Sequence, residues 1–232
     1  MISASALIRN CGFARKLNRE KPRTEAQQLS MDRGTKFHKA VELWLSGNGL
    51  PTCPEDLEIQ GWLDLLVFEM EARVGMETEV AWGLSTEGRY LEVTEPQPHV
   101  YVAGHPKDVL LTAGRADLVW RDANHVRVID WKTGRYPATP AQDNLQVHAA
   151  GIAMAGRFLL PLYQPILYYA RDGYWDYGPL VEIGGREHAR MLAEIRSAAQ
   201  LDETPRPGNW CLKCWERKAC PHAQQEAAEA TT

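Results

Sequence analysis

Two short segments carry the residue types that phosphodiester hydrolysis needs. Gly114-Arg115-Ala116-Asp117-Leu118-Val119 and Val128-Ile129-Asp130-Trp131-Lys132-Thr133-Gly134 each set an acid in an apolar, strand-like run, and the second adds a lysine two residues on. Mg2+ and Mn2+ take oxygen ligands. Such an ion lowers the pKa of bound water, polarises the phosphate and neutralises the leaving oxygen. Asp117 and Asp130 offer carboxylate ligands, and the Trp131 carbonyl between the paired side chains is a third candidate. Lys132 would orient the attacking water or offset charge growing on the phosphate. For a bare Asp-x-Lys a surface salt bridge is the plainer alternative.

Hairpin arithmetic favours the site. Strands over 114–120 and 125–131 flank the polar, turn-forming Arg121-Asp122-Ala123-Asn124. With Ala123-Asn124 at the tip, Asp117 falls opposite Asp130, and cross-strand partners share a face about 5 Å apart at Cβ. The two-residue period of a strand then puts Lys132 on that face.

Other elements must hold this hairpin. Helical spacing of Phe37, Val41, Trp44 and Leu45 predicts a helix over 34–46. Thr52-Cys53-Pro54-Glu55 reads as a capped start for a helix reaching about Arg73, with Cys53 in its first turn. Strands are expected over 77–82, 163–170 and near 174–183. Thr139-Pro140-Ala141-Gln142 reads as a second capped start, for a helix to about Gly156, and a last helix is expected over 185–201. Glu95-Pro96-Gln97-Pro98 reads as a loop, and residues 83–112 carry little pattern.

The 232 residues fit one domain with small appendages, expected over 1–222, followed by a frayed tail from 223 to 232. Composition is that of a globular chain. No apolar run is long enough to span a membrane and no secretory signal is read at the N-terminus, so a cytoplasmic location is the default expectation. No Walker-type phosphate loop occurs, so no ATP-driven motor is expected. The net charge of −4 is unevenly spread. Residues 1–40 hold nine Lys or Arg (Arg9, Arg15, Lys16, Arg19, Lys21, Arg23, Arg33, Lys36, Lys39) against three acids. That segment could track a phosphate backbone, or simply be a solvated helix face.

Five cysteines are present: Cys11, Cys53, Cys211, Cys214 and Cys220. The Cys-x2-Cys-x5-Cys run near the end suggests metal ligation. Three ligands leave a fourth to find, and Cys11 is the best fit. Zinc with Cys11, Cys53 or His222 as fourth ligand is the runner-up, and unligated thiols are a third reading.

The pattern Gly-Arg-Ala-Asp, a gap, then Ile-Asp-Trp-Lys-Thr-Gly resembles the core motif of the PD-(D/E)XK nucleases, in their RecB-like branch. Arg33-Gly34-Thr35-Lys36-Phe37-His38 is similar to that branch's upstream histidine helix, which opens with Arg-Gly-Thr, and Asn144-Leu145-Gln146 matches the start of its glutamine helix. The resemblance implies a restriction-endonuclease-like α/β core, a mixed central sheet flanked by helices. It implies His38 as a metal ligand and Gln146 as a contact to the site or scissile strand. An aromatic usually stands four residues after that glutamine; Ala150 stands here. Glu79, on the preceding strand, is a candidate additional acid near the metal, to which no ligand role is assigned.

The segment around Cys11 resembles the opening of RecB-like nucleases with an iron–sulfur cluster, such as AddB and the CRISPR adaptation exonucleases. That implies a 4Fe–4S cluster on Cys11, Cys211, Cys214 and Cys220, clasping segments 1–33 and 205–222. Lys213, Arg217 and Lys218 would add to a DNA-binding rim, with Trp210 and Trp215 packing over the cluster or stacking on bases. The implied activity is Mg2+- or Mn2+-dependent DNA cleavage, exonucleolytic on single-stranded ends, in recombination, repair or CRISPR or phage DNA processing. A recombination or CRISPR adaptation protein is the partner such an enzyme would have. The alternative is a non-catalytic DNA-end-binding protein of the same fold.

Overall fold

In the computed structural model, residues 2–3, 24–70, 75–97, 100–105, 109–134, 139–200 and 220–221 are described. A mixed sheet is flanked by helices on both faces, as layered α/β domains require to bury both sides of a sheet. In chain order the elements are β1 (Ile2–Ser3), α1 (Glu25–Leu45), α2 (Leu57–Glu69), β2 (Met76–Ser85), β3 (Tyr90–Leu91), β4 (Val93–Gln97), β5 (Val100–Ala103), β6 (Leu110–Arg121) and β7 (His125–Lys132). A 3-10 turn (Ala141–Asp143) leads into α3 (Leu145–Phe158), followed by β8 (Leu162–Tyr169), β9 (Tyr174–Tyr177), β10 (Val181–Glu182) and α4 (Arg186–Ala199).

The sheet order is β10-β8-β7-β6-β2-β3, with β9 also antiparallel to β8 and β1 parallel to β6. β7 and β8 run parallel, from His125↔Leu162 to Lys132↔Tyr169. Parallel neighbours need a crossover, and α3 is that crossover. It packs with α4 over Val126, Val128, Val119, Trp82 and Tyr163 on one face. On the other face, α1 and α2 cover Leu118, Ile129, Trp131 and Tyr168 with Phe37, Val41, Trp62 and Leu63.

The β6–β7 hairpin has the expected register: Leu118↔Ile129, Val119↔Val128, Trp120↔Arg127 and Arg121↔Val126. The Asp122 carboxylate accepts from the N–H groups of Asn124 and His125, which fixes the two-residue tip.

Several boundaries differ from expectation. Helix α1 begins nine residues earlier than expected, because Thr24 and Gln27 form a complete capping box. Arg33-Gly34-Thr35 therefore lies mid-helix. Asp56, not Thr52, caps α2 by accepting from Ile59 N–H at 3.3 Å, and Cys53 sits before the helix, buried. Asn144, not Thr139, caps α3 through Gln146 and Val147. The stretch read as a loop at Glu95 is part of β4; Glu95 and Pro96 fall where the β4–β5 register shifts, and a strand proline is tolerated there because it owes the ladder no N–H.

α3 lies close on β8. A methyl group added at Gly151 would stand 2.3 Å from Cδ2 of the fully buried Tyr163. Gly151→Ala should therefore cost about 1–3 kcal/mol of overpacking, outweighing the roughly 1 kcal/mol of helix propensity it gains. Urea denaturation checks this, and a stabilised variant would contradict it.

Candidate metal centre

The site forms where β6 parts from β7. The ladder between these strands ends at Leu118↔Ile129, and the Trp131 N–H donates to Asp117 Oδ2 at 2.8 Å. A side-chain carboxylate thus takes the place of a strand partner, and Asp117 is tied to the strand bearing Asp130 and Lys132.

β2 and β6 both turn over at this point. Thr78↔Leu118 and Val80↔Ala116 share one register, and the ladder skips Glu79 and Asp117 between them. Ala116 and Leu118 are two apart yet lie in cores on opposite faces, as do Met76 and Val80, four apart. Regular strands keep even-spaced residues on one face. Glu79 supplies the half-turn by adopting φ +52°, the left-handed region that non-glycine residues seldom occupy. That conformation brings its carboxylate toward Asp117.

His38 comes from the middle of α1. One turn earlier, Gly34 faces Thr133, just past Lys132; a Cβ there would stand 2.9 Å from Thr133 Oγ1, so glycine permits the close approach of helix to strand end. His38 Nδ1 lies 3.4 Å from Asp117 Oδ1, and Nε2 lies 3.3 Å from the Trp131 carbonyl. Ligand atoms of His38, Glu79 and Asp117 all lie within 4.8 Å of one another.

Asp130 is turned differently. Its Oδ1 accepts from Gln146 Nε2 at 2.8 Å, and Lys132 Nζ approaches Oδ2 to 2.5 Å. Among the described residues no hydrogen bond of good geometry reaches that buried Oδ2. Gln146 is aimed by the buried Asn144 cap at the start of α3. Ala150, where the aromatic of the glutamine motif would stand, is buried in the α3 core.

The electrostatics are those of crowded acids. Burial works against a charged His38, but the adjoining Asp117, with Asp130 and Glu79 beyond it, outweighs burial and pushes its pKa up to about 9. Burial, then Asp117, raises Glu79. Burial is also the main cause that raises Asp130, whereas Lys132, despite its own burial, is held protonated by Asp130. Arg115 offsets part of the acid excess, bonding Glu79 at 3.3 Å and also Glu95 on β4.

The donor set fits a hard divalent cation: an imidazole, carboxylates and a backbone carbonyl. An ion ligated by His38 would need its neutral imidazole, so binding there would release a proton. Apparent Mg2+ affinity should therefore rise with pH, by up to about tenfold per unit, until near pH 9. Without metal the sign reverses. A histidine whose folded pKa is raised adds stability that is full below about 6.5 and is lost as pH climbs through 9. Mg2+ titrations between pH 6.5 and 8.5 check the first statement, and a constant affinity would contradict it.

The structure thus draws together His38, Asp117, Trp131, Asp130, Lys132 and Gln146, and adds Glu79. The role of Glu79 was not assignable from sequence, since only the reversal at φ +52° turns it inward. Cys11, Cys211 and Cys214 lie outside the described residues, as do Lys213, Arg217, Lys218, Trp210 and Trp215; Cys220 is described, half-buried and in no disulfide with another described residue. Of the nine basic residues before position 41, Arg33, Lys36 and Lys39 are described, and each pairs with an acid: half-buried Arg33 with Asp56 and Glu58, and the exposed Lys36 and Lys39 with Glu55 and Glu42. No helix among the described residues is long and apolar enough to cross a membrane.

These features define an α/β protein with a candidate divalent-cation centre at a splayed strand end. The family model of the PD-(D/E)XK nuclease superfamily matches residues 2–221, and the chain belongs to that superfamily, whose members are typically nucleases using divalent metals. A solved structure described as the crystal structure of SSO0001 is similar over 96% of this chain and 86% of its own, at 19% identity and a TM-score of 0.40, a likeness that carries no argument about function. No curated protein matches significantly.

Proposed function

We propose that this chain is a metal-dependent deoxyribonuclease of the RecB-like branch, an exonuclease acting on single-stranded DNA ends. The observation that carries the reading is the convergence of His38, Glu79, Asp117 and the Trp131 carbonyl beside the Asp130–Lys132 pair. Superfamily membership supports it. His38, Asp117, Asp130 and the Trp131 carbonyl would hold Mg2+ or Mn2+, with Glu79 as a further carboxylate. The bound ion supplies Lewis acidity and a water acidified enough to attack phosphorus. Lys132, kept charged by Asp130, stabilises negative charge on the phosphoryl oxygens or orients the water. Gln146 holds the Asp130 carboxylate in place and has a carbonyl left to meet the water or the scissile strand.

The cysteine spacing and the resemblance around Cys11 support a 4Fe–4S cluster on Cys11, Cys211, Cys214 and Cys220 in the same protein. β1 pairs with Thr112 and Ala113 near the start of β6, which carries the start of the chain onto the central sheet. A cytoplasmic role in recombination, repair or CRISPR or phage DNA processing, alongside a protein partner from such a system, is the setting this reading implies. Anaerobically purified protein should be brown, with about four irons per chain; one zinc per colourless chain would assign the cysteines to zinc. Digestion of 5′- and 3′-labelled single- and double-stranded oligonucleotides with Mn2+ tests the nuclease reading, and a protein that binds ends without cutting them would be the non-catalytic alternative.

A further inference from the structure

Two acid–base pairs bracket the candidate metal centre. From β7, Lys132 lies against Asp130. From β6, Arg115, two residues before Asp117, donates from Nη1 to Glu79 Oε2 at 3.3 Å. Its Nη2 donates to Glu95 of β4, and the buried Tyr101 of β5 bonds it as well. A guanidinium carries five N–H donors in a rigid fork, and the Arg115 side chain remains 43% exposed. It is anchored at the rim of the site without being enclosed. Glu79 faces both ways, since its carboxylate also groups with His38 and Asp117, with ligand atoms all within 4.8 Å. One carboxylate therefore serves the guanidinium and the divalent ion that this site would hold. A divalent charge at Glu79 offsets the attraction between Glu79 and Arg115.

We propose that Arg115 is a phosphate ligand of the bound DNA strand, held by Glu79 in the metal-free protein and turned to a backbone phosphate beside the divalent ion once that ion is in place. The inference rests on the nuclease reading and deepens it. Without the ion, the carboxylates of Asp117, Asp130, Glu79 and Glu95 face three bases, His38, Lys132 and Arg115. Each of those bases is already matched to an acid, so the site has no positive charge to offer a phosphate. With the ion, the local balance changes sign. The Arg115 fork then matches two phosphate oxygens, the geometry for which arginine is suited. Glu95 and Tyr101 keep the side chain beside the site while Glu79 changes partner. Metal binding and DNA binding are thereby coupled through one residue, and such coupling is reciprocal.

A side chain that only braces Glu79 for the metal is the competing account, and two titrations separate the two. The Lys132→Met background is used, so that DNA is bound without being cut. Fluorescence anisotropy gives the affinity for a labelled single-stranded oligonucleotide in Mg2+ and in chelator, each over a range of KCl, and calorimetry gives the Mg2+ affinity without DNA. In Mg2+, Arg115→Met should weaken DNA binding about tenfold or more, as loss of a charged hydrogen bond does. It should also reduce the slope of log affinity against log salt by about 0.7, the share of one phosphate contact on a single strand. In chelator the substitution should leave that slope unchanged. Arg115→Lys, a point charge that still pairs with a phosphate, should restore the slope in Mg2+. Mg2+ affinity without DNA should hold or rise in Arg115→Met, because Glu79 has lost a competing partner. A slope unmoved in Mg2+, or reduced equally in Mg2+ and chelator, would overturn the proposal. Mg2+ binding weakened by Arg115→Met would overturn it too, and would leave Arg115 as a brace for Glu79. Absence of both Mg2+ and DNA binding in every variant, Arg115 included, would instead overturn the nuclease reading.

Discussion

Lys132→Met should lower Mn2+-dependent cleavage by about a hundredfold to a thousandfold or more, the range seen when one preorganised electrostatic donor is removed from a hydrolytic site. Methionine keeps most of the side-chain volume and deletes the charge. Because the lysine acts on charge that develops during reaction, ground-state DNA binding should persist. Metal binding should persist as well, since His38, Glu79 and Asp117 are untouched and lie together independently of Lys132. The metal-free variant should be less stable than wild type at neutral pH, because buried Asp130 loses the cation beside it and keeps only the Gln146 hydrogen bond. Single-turnover rates and DNA affinity measured side by side check the first two statements. Wild-type turnover in Lys132→Met would remove Lys132 from the chemistry.

Asp117→Asn should abolish both cleavage and the metal-induced rise in melting temperature. Asp117 has three tasks in one carboxylate: it accepts the Trp131 N–H, it faces His38, and it contributes an oxygen to the cation group. Asparagine retains an acceptor for the Trp131 N–H, so the splayed strand end can survive while the charge is lost. The His38 pKa should then fall, since Asp117 is the chief influence raising it. In wild type a cation at a hundred times its dissociation constant adds about 2.7 kcal/mol of stability, which thermal unfolding resolves easily. An Asp117→Asn protein with an undiminished metal shift would place the cation elsewhere. Asp130→Asn gives the complementary test, with Gln146 left to bond an amide in place of a carboxylate.

Much of this site was legible because the hairpin is local. A two-residue tip fixes the register of the hairpin and so sets Asp130 and Lys132 on one face of β7, but the ladder stops at Leu118↔Ile129, and Asp117 does not pair with Asp130 as expected; it is tied to β7 through the Trp131 N–H instead. Likewise His38 and Gln146 follow from motif resemblance, although periodicity alone gave no reason to aim either inward. What escaped had non-local causes. The inward turn of Glu79 depends on a backbone reversal shared by β2 and β6, for which the sequence has no glycine to announce it. The Asn144 cap was hidden by Thr139-Pro140, a stronger-looking start signal that instead precedes a 3-10 turn. The early start of α1 was missed because Thr24 and Gln27 precede the first apolar residues of the helical pattern. The pairing of Arg33 and Lys36 was not legible, since their acids come from the segment leading into and opening α2, 19 to 25 residues away.

The measurement that bears most directly on the account is digestion of an end-labelled single-stranded oligonucleotide by the full chain, with Mn2+, with Mg2+ and with a chelator. Wild type should shorten the strand in either metal and leave it intact in chelator, and Lys132→Met should leave it nearly intact throughout. Cleavage that survives the chelator, or a wild-type protein that binds the strand and its metal yet never cuts, would contradict a metal-dependent nuclease built on Asp117, Asp130 and Lys132.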